Sequence, residues 1–328
     1  MLFHQPYQHS MQSSNNCLFT PQWSVEEKSA ALLPCTLDMV LAHIPRITSS
    51  LFIEALVVGN ASPDEAAALL ETFFTVLKPK ALPGVLRPDG RVVQLSKGVV
   101  YSHRMTSPNP EEPCSAVQVI YPMGLESLET CTMIELVVQL VKERAFDQLR
   151  TKEGLGYLVW SAQWRQDNCW GVRFIIQSNE HGPGHLDERI EAFLTQFRGQ
   201  VVELSEEEWE ANKEAVVAIL TEKDKSLVEE TTRSWGEISV QAYDFERNVK
   251  TAEAVKGVAK DELLAFMDTW LLPGSKSRHK LRAECFGKLH QIPLDGSDEE
   301  VITNPSEFKR TMPLFPLRAK PEVDVAKL

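Results

Sequence analysis

The sequence predicts an α+β fold: a largely antiparallel sheet with helices packed on one face. Three observations carry this. Stretches of strand composition pair around turns instead of alternating strictly with helices, helix starts carry capping signatures, and two strand-like stretches meet at a short polar turn, Arg165-Gln166-Asp167-Asn168-Cys169.

Taken in order, residues 1–24 show no clean periodicity, and Ser24 with Glu27 three residues on marks a first helix start. Residues 51–58 (LFIEALVV) are a nearly all-apolar run of strand length closed by Gly59-Asn60, which predicts a buried strand. Ser62, Pro63 and Glu65 then open a helix whose apolar stripe is Ala66, Leu69, Leu70, Phe73, Val76 and Leu77, and Pro79 ends it. Turn formers crowd residues 80–97, so a domain boundary is expected near residue 95. Beyond it the composition predicts strands over 99–105 and 116–123, a helix over 125–149, and strands over 156–164 and 170–178. A helix over 186–204 follows, then one opened by the capping box at 205–208, a third over 260–271 and a strand over 279–286. Residues 287–306 read as a polar surface loop, after which Pro313-Leu314-Phe315-Pro316 can dock back.

Bulk properties exclude some functions. With 328 residues, 43% hydrophobic and 24% charged, the chain is long enough for two modest domains with real cores. A net charge of -12 with no dense Lys/Arg cluster argues against a nucleic-acid partner. Six cysteines lack C-x-x-C spacing, and Cys131 falls in an apolar helical stretch, which suits a reducing, cytoplasmic compartment. The polar N-terminus has no apolar h-region, and no run approaches the ~18 apolar residues of a membrane span, so neither a signal peptide nor a membrane partner is expected.

Motifs for chemistry are sparse. His181 and His185 stand four apart, but Gly182-Pro183-Gly184 between them forbids a regular helix and no glutamate intervenes, so they read as histidines of a surface turn. No H-E-x-x-H or H-x-x-E-H spacing, G-x-S-x-G elbow or phosphate-binding glycine loop occurs, and neither a catalytic residue nor a metal ligand is assigned. The most informative stretch is 149–161 (LRTKEGLGYLVWS), where a long helix stops at a glycine pair and turns directly into a strand. Such a corner sets the guanidinium of Arg150 beside the phenol of Tyr157, both donors suited to peptide carbonyls. Composition alone leaves a plainer alternative ahead: Arg150 satisfies the last carbonyls of its helix, and Tyr157 fills the core with its hydroxyl at the rim.

The run LRTKEGLGYLVWSA followed by WGVRFIIQS resembles the C-terminal domain of the insulin-degrading-enzyme (pitrilysin-type) zinc metallopeptidases. So do HQPYQHSM, IPRITSSLFIEALVVGN, RSWGEISVQAYDFER, EFKRTMPLFPL and the terminal AKL, in the same order over nearly the whole chain. The resemblance implies the later part of a third peptidase domain (1–95) and a complete fourth (96–328). It also implies that the inverted zinc motif, its glutamate ligand and the general base belong to a first domain absent from this sequence. Zinc is therefore expected in an N-terminal half and no cofactor in this chain, which alone is expected to be inactive. By the same resemblance Arg150 and Tyr157 match an arginine and a tyrosine that hold the substrate backbone near the zinc, and they are assigned as substrate-binding. Lys223 and Lys225 align with a lysine-bearing segment that binds ATP or other polyanions, although Asp224 intervenes here and a solvated helix end competes as a reading. Ala326, Lys327 and Leu328 fit a relaxed peroxisomal address, against an arbitrary polar tail. Peptide substrates and the N-terminal catalytic half are the implied partners, and uncovered faces of an incomplete domain predict self-association. The reading of a different class is a stand-alone peptide-binding or scaffold protein derived from such a peptidase.

Overall fold

The computed structural model describes residues 4–87, 89–293 and 299–318. The chain opens with helix α1 (Pro6–Leu18) and a two-residue strand β1 (Phe19–Thr20). Hydropathy is silent over α1 for a physical reason: the face it buries includes His9, Ser10, Ser13, Ser14 and Cys17. The serines are satisfied, whereas His9 Nε2 is buried without a hydrogen-bond partner among the described residues. Ser10 Oγ donates to the Ala116 carbonyl at 3.2 Å, Gln118 Nε2 donates to Ser14 Oγ at 2.6 Å, and Ser13 Oγ lies 2.6 Å from His103 Nδ1.

Helix α2 (Val25–Leu32) starts at the expected Ser24/Glu27 capping box. Helix α3 (Leu37–Ser49), capped by Thr36, has no counterpart in the sequence expectations. Strand β2 (Ser50–Leu51) is followed by α4 (Pro63–Leu77), opened by the Ser62/Glu65 box, and by β3 (Lys80–Ala81), which pairs parallel with β2. The buried strand expected over 51–58 is corrected here. Only Leu51 joins a sheet, and Phe52 and Val57 are exposed, because the two residues of β3 are the only backbone alongside among the described residues.

Strand β4 (Arg91–Val92) pairs antiparallel with β1. Then come β5 (Val100–Thr106), β6 (Ser115–Leu125) and α5 (Leu128–Ala145), which passes into a π-helix over Phe146–Lys152. The expected hairpin is present as β7 (Leu158–Gln166) and β8 (Cys169–Ser178), with Asp167 at φ 50 in its turn. Helices α6 (Pro183–Glu203), α7 (Glu206–Leu220), α8 (Leu227–Ser239), α9 (Arg247–Lys256) and α10 (Lys260–Trp270) follow. Strand β9 (Lys280–Phe286), strand β10 (Glu299–Val301) and α11 (Pro305–Thr311) complete the described part.

The main sheet runs β10-β5-β9-β6-β8-β7. Its β6, β8, β7 side and the β6–β9 pair are antiparallel, whereas β5 pairs parallel with both β9 and β10, so the sheet is mixed. Helices also cover both faces rather than one. Val117, Val119 and Tyr121 of β6 share a core with residues of α5, α6, α7, α9 and α10, while Ile120 shares a second core with Cys17 and Leu18 of α1. Side chains alternate along a strand, so these two cores lie on opposite faces of the sheet.

One charged network ties α6 to the sheet. Lys280 Nζ donates to Asp187 Oδ2 at 2.8 Å and to Glu191 Oε1 at 2.7 Å, and Arg282 Nη1 donates to Asp187 Oδ2 at 3.0 Å. Arg278 adds a 2.7 Å bond to Glu191, whose other oxygen accepts from the Tyr121 hydroxyl at 2.8 Å. Burial pushes the Glu191 carboxyl up, but Lys280 and Arg278 outweigh it and hold its pKa below the usual value. Glu299 of β10 joins Arg104 and Arg282, which also bond or face Glu284.

The chain divides into two compact units that interleave along the sequence. One gathers the segment up to Thr20, Arg91–Glu222 and Glu246–Leu317, and contains the six-stranded sheet. The other takes Pro21–Gly90 with Lys223–Phe245. One crossover between the units falls at Gly90/Arg91. Within the second unit, α2, α3 and α4 bury no residue, and Leu33, Leu37, Val40, Ile47, Leu69 and Val76 are all exposed.

Candidate functional site

The corner between α5 and β7 is built by an unusual helix end. After Ala145 the helix widens into a π-helix, a form that occurs mostly as short pieces and often at functional sites. The chain then leaves through Gly154 at φ 64, a left-handed position that favours glycine, and the buried Leu155 anchors the turn by donating to the Leu149 carbonyl at 3.0 Å. Gly156 passes directly against the Gln177 carbonyl of β8, where a Cβ would have no room. These two glycines let the chain fold from helix into strand within a few residues.

The corner holds Arg150 and Tyr157 together. The Arg150 guanidinium lies 4.7 Å from the Phe146 ring centroid and 5.1 Å from that of Tyr157, both within cation–π range. Tyr157 is 89% exposed, so the alternative in which it fills the core is corrected: the glycine pair turns the ring outward. Arg150 is half-buried, and among the described residues no carboxylate or helix carbonyl takes its donors. The nearby carboxylate is engaged elsewhere: Glu153 accepts from Arg189 of α6 at 2.7 and 3.0 Å and from Gln148 at 2.8 Å. The Arg189 hydrogen bonds hold the Glu153 carboxyl below the usual range. Its charge neutralised by Arg189, Glu153 braces the corner against α6 and leaves Arg150 with two aromatic faces and free N–H groups. Phe146 and Glu153 went unnoticed in the sequence; only the four-residue spacing of Phe146 from Arg150 hinted at the first.

The other candidate residues stand apart from this corner. Gly182 caps α6, so His181 precedes that helix and His185 lies in its first turn, with ring centroids 4.7 Å apart. No group of three or more His, Cys, Asp or Glu among the described residues could hold a metal ion. Lys223 and Lys225 lie between α7 and α8; Asp224 between them accepts from Arg233 at 2.7 and 3.1 Å, and the Lys225 amide donates to Glu229 at 2.7 Å. Ala326, Lys327 and Leu328 lie outside the described residues. No single described helix is long and apolar enough to cross a membrane.

The mixed six-stranded sheet with helices on both faces is the fold of a pitrilysin-type peptidase domain. The chain superposes on the crystal structure of pitrilysin with a TM-score of 0.82 at 21% sequence identity, covering 97% of this chain and 33% of that one. At the sequence level the chain is a homologue of insulin-degrading enzyme and related M16 peptidases. It is 32% identical over 343 residues to insulin-degrading enzyme of Homo sapiens, covering 98% of this chain and 33% of the relative. It is 30% identical over 325 residues to "Insulin-degrading enzyme-like 1, peroxisomal" of Arabidopsis thaliana, covering 95% of this chain and 33% of the relative. A family profile described as PQQ synthase PqqF-like, C-terminal lobe domain 4, matches residues 136–235. The chain thus spans about a third of the length of these relatives.

Proposed function

We propose that this chain is the C-terminal, substrate-binding part of an insulin-degrading-enzyme-like zinc metalloendopeptidase, cleaving peptides only together with a zinc-bearing N-terminal part. In this reading residues 1–95 are the later part of a third peptidase domain and 96–328 the fourth. Arg150 and Tyr157 grip the substrate backbone, and Tyr157 also donates to the developing oxyanion. The observation that carries it is the Arg150–Tyr157 pair itself: an arginine without a carboxylate partner among the described residues, stacked on a ring that is 89% exposed. A surface phenol and guanidinium fixed by backbone geometry are donors set in advance, which is what stabilisation of a forming negative charge requires. The apolar surface on α2, α3 and α4 further supports a protein that works as part of a larger folded body. Lys223 and Lys225 remain the proposed contacts for ATP or other polyanions. The terminal Ala326-Lys327-Leu328 is proposed as a peroxisomal address on an otherwise cytoplasmic protein.

The test is reassembly. The 328-residue chain is mixed with a separately expressed N-terminal part carrying the zinc motif, and hydrolysis of a fluorogenic peptide is followed with and without chelator. Zinc-dependent cleavage should appear only in the mixture, and Tyr157→Phe should lower its kcat by about a hundredfold. Unassisted peptide binding without any rescue would favour the stand-alone peptide-binding reading, and equal turnover of Tyr157→Phe would end the role given to its hydroxyl.

A further inference from the structure

Strand β8, paired with the strand that leaves the corner, carries a second arginine with no counter-charge among the described residues. Arg173 on β8 stands opposite Ala162 of β7 on one side and Ile120 of β6 on the other. Its guanidinium lies 4.6 Å from the ring centroid of Trp160, a diagonal neighbour on the same face of the β7–β8 pair. Arg173 is half-buried, its Nε is buried with no hydrogen-bond partner, and no ion pair compensates it among the described residues. Desolvation alone lowers its pKa. A half-desolvated, unpaired cation is a standing cost to the fold, and buried charges are ordinarily paired. The neighbouring indole of Trp160 is 41% exposed, although indoles are usually covered. Trp160 lies on β7, the strand that begins one residue after Tyr157, and Arg173 lies on its antiparallel partner β8. Along an extended chain of ~3.3 Å per residue, Trp160 is about 10 Å from Tyr157, and Ala162, opposite Arg173, about 16 Å.

We infer that Trp160 and Arg173 form a carboxylate-binding subsite of the same peptide groove, favouring substrates with an anionic group three to five residues beyond the residue held at Tyr157. The inference rests on the peptide-gripping reading and specifies the substrate class it selects. Two sources supply the same chemistry, an acidic side chain or the C-terminal carboxylate of a peptide. The planar guanidinium offers paired N–H donors to either, and the exposed indole supplies a flat apolar wall against which the peptide backbone can lie.

The experiment measures binding of fluorescently labelled dodecapeptides to the full 328-residue chain. One peptide carries a single Glu at the required spacing, its twin carries Gln, and each is made with a free or an amidated C-terminus. The Glu peptide, or the free-acid form, should bind about tenfold tighter than its neutral counterpart, equivalent to about 1.4 kcal/mol. Arg173→Gln should abolish that preference while leaving the neutral twin's affinity unchanged, and Arg173→Lys should keep part of it. The same Arg173→Gln variant should be no less stable in urea, because it removes an uncompensated charge. Equal affinity for charged and neutral twins overturns the subsite and leaves the Arg150–Tyr157 grip standing. Loss of stability in Arg173→Gln with unchanged selectivity likewise overturns it, making the arginine a packing residue. Binding of neither twin overturns the peptide-gripping reading and this inference together.

Discussion

Two aspartates of the same folded unit make ion pairs of nearly the same geometry in different surroundings, and the contrast separates burial from bond length. Asp187 accepts from Arg282 at 3.0 Å and from Lys280 at 2.8 Å, and its side chain is 6% exposed. Asp268 accepts two bonds from Arg198, each at 3.0 Å, but its side chain is 45% exposed. Replacing Asp268 with Ala removes an exposed pair that water already screens, so the loss should stay below about 1 kcal/mol. Replacing Asp187 with Ala leaves Lys280, 3% exposed, with one carboxylate partner in place of two, and loosens Arg282. Removing one partner of a buried pair costs about 3–5 kcal/mol, and because Glu191 and Glu299 remain, the lower end of that range is expected. Urea denaturation of the full chain, followed by far-UV circular dichroism, measures both variants in one background. Since both residues lie in the unit that holds the six-stranded sheet, the two losses are directly comparable. Losses that agree within about 0.5 kcal/mol, the usual scatter of additive surface substitutions, would refute the argument that desolvation decides the difference.

Other consequences can be measured separately. Burial pushes the Glu135 carboxyl of α5 up to about 7 from 4.5, so the folded state holds a proton that the unfolded chain releases, and stability should fall as pH rises between those values. Glu135→Gln should flatten this dependence and stabilise the protein at pH 8 by on the order of 3 kcal/mol; parallel wild-type and variant pH profiles would contradict the assignment. Gly156→Ala forces a Cβ against the Gln177 carbonyl, so it should cost roughly 1–3 kcal/mol and weaken peptide binding, read by thermal unfolding and by the dodecapeptide assay. Glu153→Gln loosens the brace to Arg189, whose side chain is 37% exposed, so stability should change by less than about 1 kcal/mol while peptide affinity drops; unchanged affinity would show that Arg150 and Tyr157 hold their places without it.

Local chemistry was legible wherever a short pattern decides the structure. The Ser24, Ser62 and Ser205 caps each form the predicted reciprocal bonds with a glutamate three residues on, and the polar turn at 165–169 joins β7 to β8 in register. Hydropathy fails where the core is polar, as in α1, whose serines meet His103 and Gln118. It fails again over residues 52–58, where an apolar run has the composition of a central strand but no adjacent backbone to pair with. The mixed pairing of β5, β9 and β10 was not readable either, because which strand lies beside which depends on contacts nearly two hundred residues apart. At the candidate site the glycine pair predicted a sharp exit from the helix, and that exit set Arg150 beside Tyr157. The π-helix that precedes this exit was not readable, because no residue type encodes such a widening by itself.

Because β9 is inserted between β5 and β6, the middle of the sheet is completed by residues synthesised long after β5, β6, β7 and β8. Until residue 286 has left the ribosome, β6 can pair only with the β7–β8 hairpin, and β5 has no permanent neighbour at all. Between the synthesis of β6 and that of β9 the nascent chain therefore presents two naked strand margins, a state in which margins of different chains can zip together. The two inner margins close only when β9 emerges, and a chain ending before residue 280 should keep them open.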